Sequence, residues 1–346
     1  MNKVFLGLLV FVPITIGAEF LGVAPSYVFF LAAIAIIPLA KYIGESTEEL
    51  AGRTSPALGG LLNATFGNAP ELIIGLFALN AGLVEVVKAS ITGSIIGNLL
   101  LVLGMAIFFG GIKREKQTFS ATAAKAAGST LLLAVIALVI PAIFLITAPQ
   151  STAVVDTLSV FVAVIMIGAY IANLLFTLYT HNHLYKDIEK FEPKWSVAKS
   201  ITILLAATAV VALMSEILVG AIEPLVVSWG WTQLFIGVIL IAVIGNAAEH
   251  LSAITVAMKN RMDLALQISI GSAIQIAMFA APTLVLLSLF FPTHMGLVFN
   301  TFELAAIIFS VFIVNSISED GESNWFEGVQ LLAAYAIIAV AFFFHP

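Results

Sequence analysis

Long apolar runs, interrupted by short polar stretches, follow one another along the whole 346-residue chain. A bilayer-spanning helix needs about 20 mainly apolar residues. Runs of that kind lie at 3–22, 26–43, 57–80, 83–110, 123–147, 152–180, 197–222, 231–258, 263–291, 297–317 and 325–345, which predicts 11 membrane helices. The longest polar stretches fall around 44–56, 111–122 and 181–196, too short for a soluble domain. The first run follows Lys3, as in a signal peptide. It continues past Pro13 to Leu21 without a small-residue cleavage pattern, and so reads as a membrane helix.

Composition agrees with this pattern. Hydrophobic residues make up 61% of the chain and charged ones 10%, and the mean hydropathy is +1.12. A soluble domain carries about 25% charged residues, so the lipid bilayer must be the main solvent. No cysteine occurs, which excludes disulfides, thiolate metal sites and cysteine catalysis. A net charge of −6 and the lack of a basic patch argue against nucleic acid. Basic residues also orient the chain, because cytoplasmic loops concentrate them. With 11 spans, 13 of the 14 Lys and Arg fall on one side and only Lys88 on the other. The N-terminus is therefore expected in the cytoplasm and the C-terminus outside.

Sliding the sequence against itself by 178 residues brings two segments into register. Gly67-Asn68-Ala69-Pro70-Glu71 falls on Gly245-Asn246-Ala247-Ala248-Glu249, Gly59 on Gly237, Gly93-Ser94 on Gly271-Ser272 and Ile96 on Ile274. The first copy starts in the third run and the second in the eighth. An odd shift of five spans makes the copies cross the membrane in opposite directions, a building plan of secondary transporters. The expected organisation is an extra N-terminal helix (1–25) followed by two inverted five-helix repeats, 26–182 and 183–346. The fold class is an all-α membrane protein.

Glu71 and Glu249 fall near the midpoints of their runs. A charge there costs roughly 2.5–3.5 kcal/mol on insertion scales, and such residues usually mark ion or proton pathways. Asn68 and Asn246 stand three residues earlier, on the same helix faces. The next runs supply Ser94 with Asn98, and Ser272 with Gln275. Carboxylate, amide and hydroxyl oxygens form a hard donor set suited to calcium. Pro70 lacks an N–H and clashes with the carbonyl of Phe66, so the helix should kink there. Carbonyls freed around Phe66, Gly67 and Gly245 are further candidate ligands, since irregular backbone at this depth must line a cavity or hold an ion. For the glycines, close helix packing explains their presence as well.

The paired motifs resemble the alpha-repeats of the calcium/proton antiporters, within the cation/calcium exchanger superfamily. The resemblance takes in Leu61-Leu62-Asn63-Ala64-Thr65-Phe66 before the first motif, and Asp320-Gly321 with Ser323-Asn324-Trp325 near the end. It implies that Glu71 and Glu249 bind calcium and exchange it for protons, with Asn68, Asn98, Asn246 and Gln275 as flanking amides. Calcium and protons are then cargo, and no cofactor is expected. Sodium-coupled relatives tend to carry another acidic residue where this chain has neutral Gln275, which favours protons over sodium. The chemistry agrees: two glutamates can balance one calcium ion or hold two protons, and alternating access would expose them in turn. A sodium/calcium exchanger is the nearest rival. An intramembrane carboxylate hydrolase is a rival of another class. The symmetric acids, and the absence of Gly-x-Gly-Asp or nucleophilic-serine motifs, argue against an enzyme. The resemblance implies a prokaryotic cell membrane, or a vacuolar one in a eukaryote. Oligomeric state, homo-oligomer included, stays open.

Weaker signals complete the reading. His250 is a proton-relay candidate, although it points about 100° away from Glu249 on a helix. His181 and His183 read as solvated loop residues, and Glu216 as lining an outer vestibule or reaching the interface. Gly44–Ser55, with Glu45, Glu48, Glu49 and Arg53, reads as a cytoplasmic amphipathic helix able to gather cations, or as a solvated connector. Ser318–Glu322 reads as a turn, followed by Asn324 as N-cap with Glu327 at the capping-box position and Trp325 as an interfacial anchor.

Overall fold

The computed structural model describes residues 3–54, 56–150, 152–181 and 193–345. The protein is an all-α membrane protein. Seven helices among the described residues are long and apolar enough to cross a bilayer: Pro25–Ala51, Val84–Gly111, Ala121–Thr147, Val154–Thr180, Val197–Trp229, Met262–Ser288 and Trp325–Phe344. Gln233–Gly245 and Ala247–Met258 make an eighth crossing if counted as one bent span. The three remaining runs hold shorter apolar helices, Val4–Phe20, Ala69–Asn80 and Thr301–Ile317.

Local chemistry explains the short ones. The first run breaks into Lys3–Leu8 and Phe11–Phe20. Pro13 has no N–H to donate to Leu9, and bonds of the tighter i to i−3 type, such as Val12 N to Leu9 O at 3.1 Å, fill the junction. The tenth run begins its helix at Thr301 rather than 297, because Asn300 and Glu303 form a capping box there. Asn300 Oδ1 accepts from Glu303 N at 2.8 Å, and Glu303 Oε2 accepts from Asn300 N at 2.9 Å.

The chain gathers into two compact units, Met1–Ser90 with Glu189–Ala248 and His345–Pro346, and Ile91–Ile188 with Glu249–Phe344. Each draws on both halves of the sequence. In the first, Val197–Gly220 packs along Pro25–Ala51 and against Ala69–Asn80. A Cβ on Gly237 would collide with the Ala89 side chain and lie 2.8 Å from Val86 O and 3.1 Å from Ser90 N. Glycine is what lets these helices touch. In the second unit, Trp325–Phe344 packs on Leu103–Gly111 through Gly104 and Gly328, and Met262–Gln275 packs on Leu103–Gly111 and Ala121–Thr147. Large apolar side chains such as Phe161, Ile165, Phe312 and Ile337 remain exposed, as the lipid-facing side of a membrane helix requires.

The segment from Gly44 does not form a separate amphipathic helix. No helix breaker separates it from the span before it, so Pro25–Ala51 continues as one helix, with Lys41 and Glu45 paired at 3.3 Å. Glu49 is buried, and its Oε2 accepts the main-chain N–H groups of Lys194 and Trp195 at 2.7 and 2.8 Å. Arg53 donates to the carbonyls of Trp195 and Pro193 at 2.5 and 3.3 Å. In the second unit Gln117–Thr118 pairs antiparallel with Glu322–Ser323, a two-residue ribbon that the apolar pattern does not foretell. Lys116 and Glu322 pair beside it at 2.6 Å, and that hydrogen bond raises the lysine pKa. The expected capping box at Asn324 is present: Asn324 N donates to Glu327 Oε2 at 2.9 Å, and Glu327 N to Asn324 Oδ1 at 3.3 Å.

Candidate functional site

Both glutamate motifs sit at helix breaks. Pro56–Phe66 ends, Gly67 and Asn68 form a turn, and Ala69–Asn80 begins with Pro70 in its first two positions. Because Pro70 lacks an N–H, the carbonyl of Phe66 loses its helical donor, and the sequence-predicted kink is here a full interruption. The second motif breaks without a proline. Ala242–Gly245 ends, Asn246 takes φ −92° and ψ 13°, and Ala247–Met258 sets off at 58°. Asn68 has nearly the same backbone, at φ −107° and ψ 23°. Each glutamate is therefore the third residue of a new helix, where the helix dipole favours an anion.

Within the first unit the structure brings Asn68, Glu71, Gly245 and Asn246 into one buried region. Asn68 and Asn246 are almost fully buried, and Glu71 is 9% exposed. Glu71 leans on Gly245: a Cβ there would lie 2.9 Å from Glu71 Oε1 and 3.2 Å from its Cγ and Cδ. Asn246 Nδ2 donates to Ala242 O at 2.8 Å, which fixes the amide and turns its oxygen away from that bond. Phe66 and Gly67 are half-buried beside the turn.

Within the second unit Ser94, Asn98 and Ser272 converge. Asn98 is wholly buried, and its Nδ2 donates to Ser94 O at 2.9 Å and Ser272 Oγ at 3.1 Å. The two polar pairs read from the sequence thus meet through one amide. Gln275 is half-buried at the end of Met262–Gln275 and Glu249 is half-buried, while His250 is buried. Among the described residues no three His, Asp or Glu side chains converge on a metal position. A hard cation would draw on amide, hydroxyl and main-chain oxygens beside a carboxylate.

Two features escape the sequence pattern. Gly97–Val102 and Ile276–Ala280 are π-helical turns, and the 178-residue offset carries Asn98–Val102 onto Ile276–Ala280. A π turn widens the helix and re-aims its side chains, and such turns recur at functional sites. One starts beside Asn98, the other just after Gln275. The second feature is Glu303, a wholly buried carboxylate whose Oε1 accepts from Thr92 Oγ1 at 3.1 Å. Its sequence signal was the capping-box spacing from Asn300.

The weaker candidates are placed as follows. Glu216 is exposed and lines a cleft with Glu19 and Pro25. His181 is exposed and stacks on Phe176 at 4.1 Å. His183 lies outside the described residues.

Residues 25–179 and 199–344 match the sodium/calcium exchanger protein family. A Ca(2+)/H(+) antiporter of Synechocystis is 48% identical, over 100% of this chain and 98% of its own. The Ca(2+)/H(+) antiporter ChaA of Bacillus subtilis is 46% identical, over 99% of both chains. The solved structure of native YfkE superposes with a TM-score of 0.87 at 44% identity, covering 99% of this chain and 100% of that one. Two broken helices with a glutamate opening each second half, repeated at one offset, accompany a match along nearly the whole chain: it belongs to the sodium/calcium exchanger protein family.

Proposed function

We propose that the chain is a secondary transporter that moves Ca²⁺ out of the cytoplasm in exchange for H⁺, with Glu71 and Glu249 carrying the exchange. The observation that carries this reading is the full-length similarity to relatives named Ca(2+)/H(+) antiporters, joined to a glutamate at the start of each interrupted half-helix. An ionised carboxylate is a calcium ligand and a protonated one is not, so each glutamate can hold one cargo or the other. Two carboxylates releasing two protons match the charge of one calcium ion. Asn68, Asn246, Asn98, Ser94, Ser272 and Gln275 supply uncharged oxygens, with the carbonyls of Phe66, Gly67 and Gly245 beside the breaks. His250 adjoins Glu249 in sequence, and its burial suits a packing role more than a relay.

The reading puts the N-terminus in the cytoplasm and the C-terminus on the other side of a prokaryotic cell membrane, or of a vacuolar one in a eukaryote. Pairings within each unit support this by bringing together loops that the span count puts on one side. In the first unit Arg53 and Glu49 hold residues 193–195; in the second Lys116 pairs with Glu322, and Arg114 donates to Met258 O at 3.0 Å. The organisation into an extra helix (1–25) and inverted repeats 26–182 and 183–346 rests on the 178-residue offset.

The deciding experiment measures calcium uptake into proteoliposomes of the purified protein, with imposed pH and sodium gradients tested separately. A pH gradient should drive uptake and a sodium gradient should not. Uptake driven only by sodium moves the chain to the sodium-coupled reading.

A further inference from the structure

Gly245 is a buried glycine whose backbone does not need to be glycine. The glycines with positive φ are Gly22, Gly82, Gly230 and Gly321, and Gly245 is not among them. What keeps a side chain out is Glu71. A Cβ at 245 would meet Glu71 Oε1 at 2.9 Å and Glu71 Cγ and Cδ at 3.2 Å. All three atoms belong to one flexible side chain, whereas the Cβ of a Gly237 substitution would press on main-chain atoms of Val86 and Ser90. A methyl at 237 strains the fold. At 245 the side chain can yield, so a methyl there relocates the carboxylate.

We propose that Gly245 is a positioning residue for Glu71: the empty space at its Cα, on the second broken helix, sets where the carboxylate opening the first one comes to rest. The proposal rests on the reading that Glu71 binds the transported cation. Restoring ordinary contact with a methyl moves the carboxylate by about half an ångström, more than the whole spread of calcium–oxygen distances, roughly 2.3–2.6 Å. The main-chain carbonyl at 245 is kept by alanine, so a loss of affinity in that variant reports the carboxylate and not a lost carbonyl ligand. The two motifs are then reciprocal parts, one supplying the ligand and the other the clearance it needs.

The test is a double-mutant cycle read by equilibrium calcium binding to purified protein in nanodiscs, with thermal unfolding recorded for every variant. Gly245→Ala is expected to weaken calcium binding about tenfold, at the lower end of what removing a ligand's support costs, with its unfolding midpoint close to the parent. Glu71→Ala removes all three contacting atoms and weakens binding on its own, its residual affinity being read at high calcium. In that background Gly245→Ala should cost less than about twofold, because the contact has already gone. If Gly245→Ala alone does not fold, recovery of folding in the double variant reads the same contact. An unchanged affinity in Gly245→Ala, or an equal loss in both backgrounds, overturns the positioning role. Glu71→Gln separates the two levels. If it binds calcium like the parent, the ion-binding reading fails; if it loses binding while the cycle is additive, only the positioning proposal fails.

Discussion

A carboxylate in an apolar span is tolerable only where something compensates for it, and here the compensation is the start of a helix. Glu71 and Glu249 each sit in the first turn after a break, where the helix dipole favours negative charge. Replacing either with glutamine removes both the ligand charge and the exchangeable proton while keeping shape and polarity. Glu71→Gln and Glu249→Gln are each expected to lower calcium flux by more than about 100-fold, with unchanged elution and unfolding of the purified protein. Near-normal flux in either variant would remove that residue from the mechanism. The same chemistry fixes the sign of the pH dependence. Calcium binds the deprotonated carboxylates, so its affinity should rise with pH and level off once both have lost their protons. Binding measured between about pH 6 and 9 checks this, and a flat profile would separate calcium binding from proton release. At this scale the sequence was legible because residue type limits chemistry. Ser94 with Asn98, and Ser272 with Gln275, are visible as two polar pairs, but the hydrogen bond from Asn98 to Ser272 is not, since neither pair's spacing specifies the other helix.

At the scale of elements, glycine and proline act through the backbone. Pro70 announces its break because it removes a donor, whereas the break at Asn246 has no proline and is signalled only by Gly245 and by the match to the first motif. The π turns at Gly97–Val102 and Ile276–Ala280 are likewise invisible to periodicity, which reads apolar positions and not hydrogen-bond offsets. Gly237 offers a clean test of close packing. Its absent Cβ faces Val86 O and Ser90 N, which cannot swing aside as a carboxylate can. Gly237→Ala should destabilise the protein by about 1–3 kcal/mol, the usual cost of overfilling a packed interior. A lowered unfolding midpoint in detergent checks this, and an unchanged midpoint would mean that the crossing adapts.

For the whole molecule, the distribution of basic residues makes a claim about sidedness that labelling can test. Because the chain has no cysteine, single introduced cysteines report without background. Gln117 is buried under Ala257 and would label poorly, but Glu115 and Ser228 are exposed. Glu115→Cys should react with an impermeant maleimide from the cytoplasmic face and Ser228→Cys from the opposite one. Reaction of both from one face would disprove the span parity.

The sequence by itself determined the solvent, the helical class, the two motifs and their offset. Each of these depends on residue type and spacing along one chain: apolar runs long enough to span, carboxylates where lipid forbids them, a matching pattern 178 residues on. Tertiary structure decided what depends on a second segment arriving. It extended Pro25–Ala51 past its apolar part and turned Glu49 from a solvated acid into an anchor for residues 194 and 195. It built a ribbon from two polar loops, since strand pairing needs a partner that local sequence does not name. It also set the clearance between Gly245 and Glu71, because the space a missing side chain leaves has meaning only once another helix fills it.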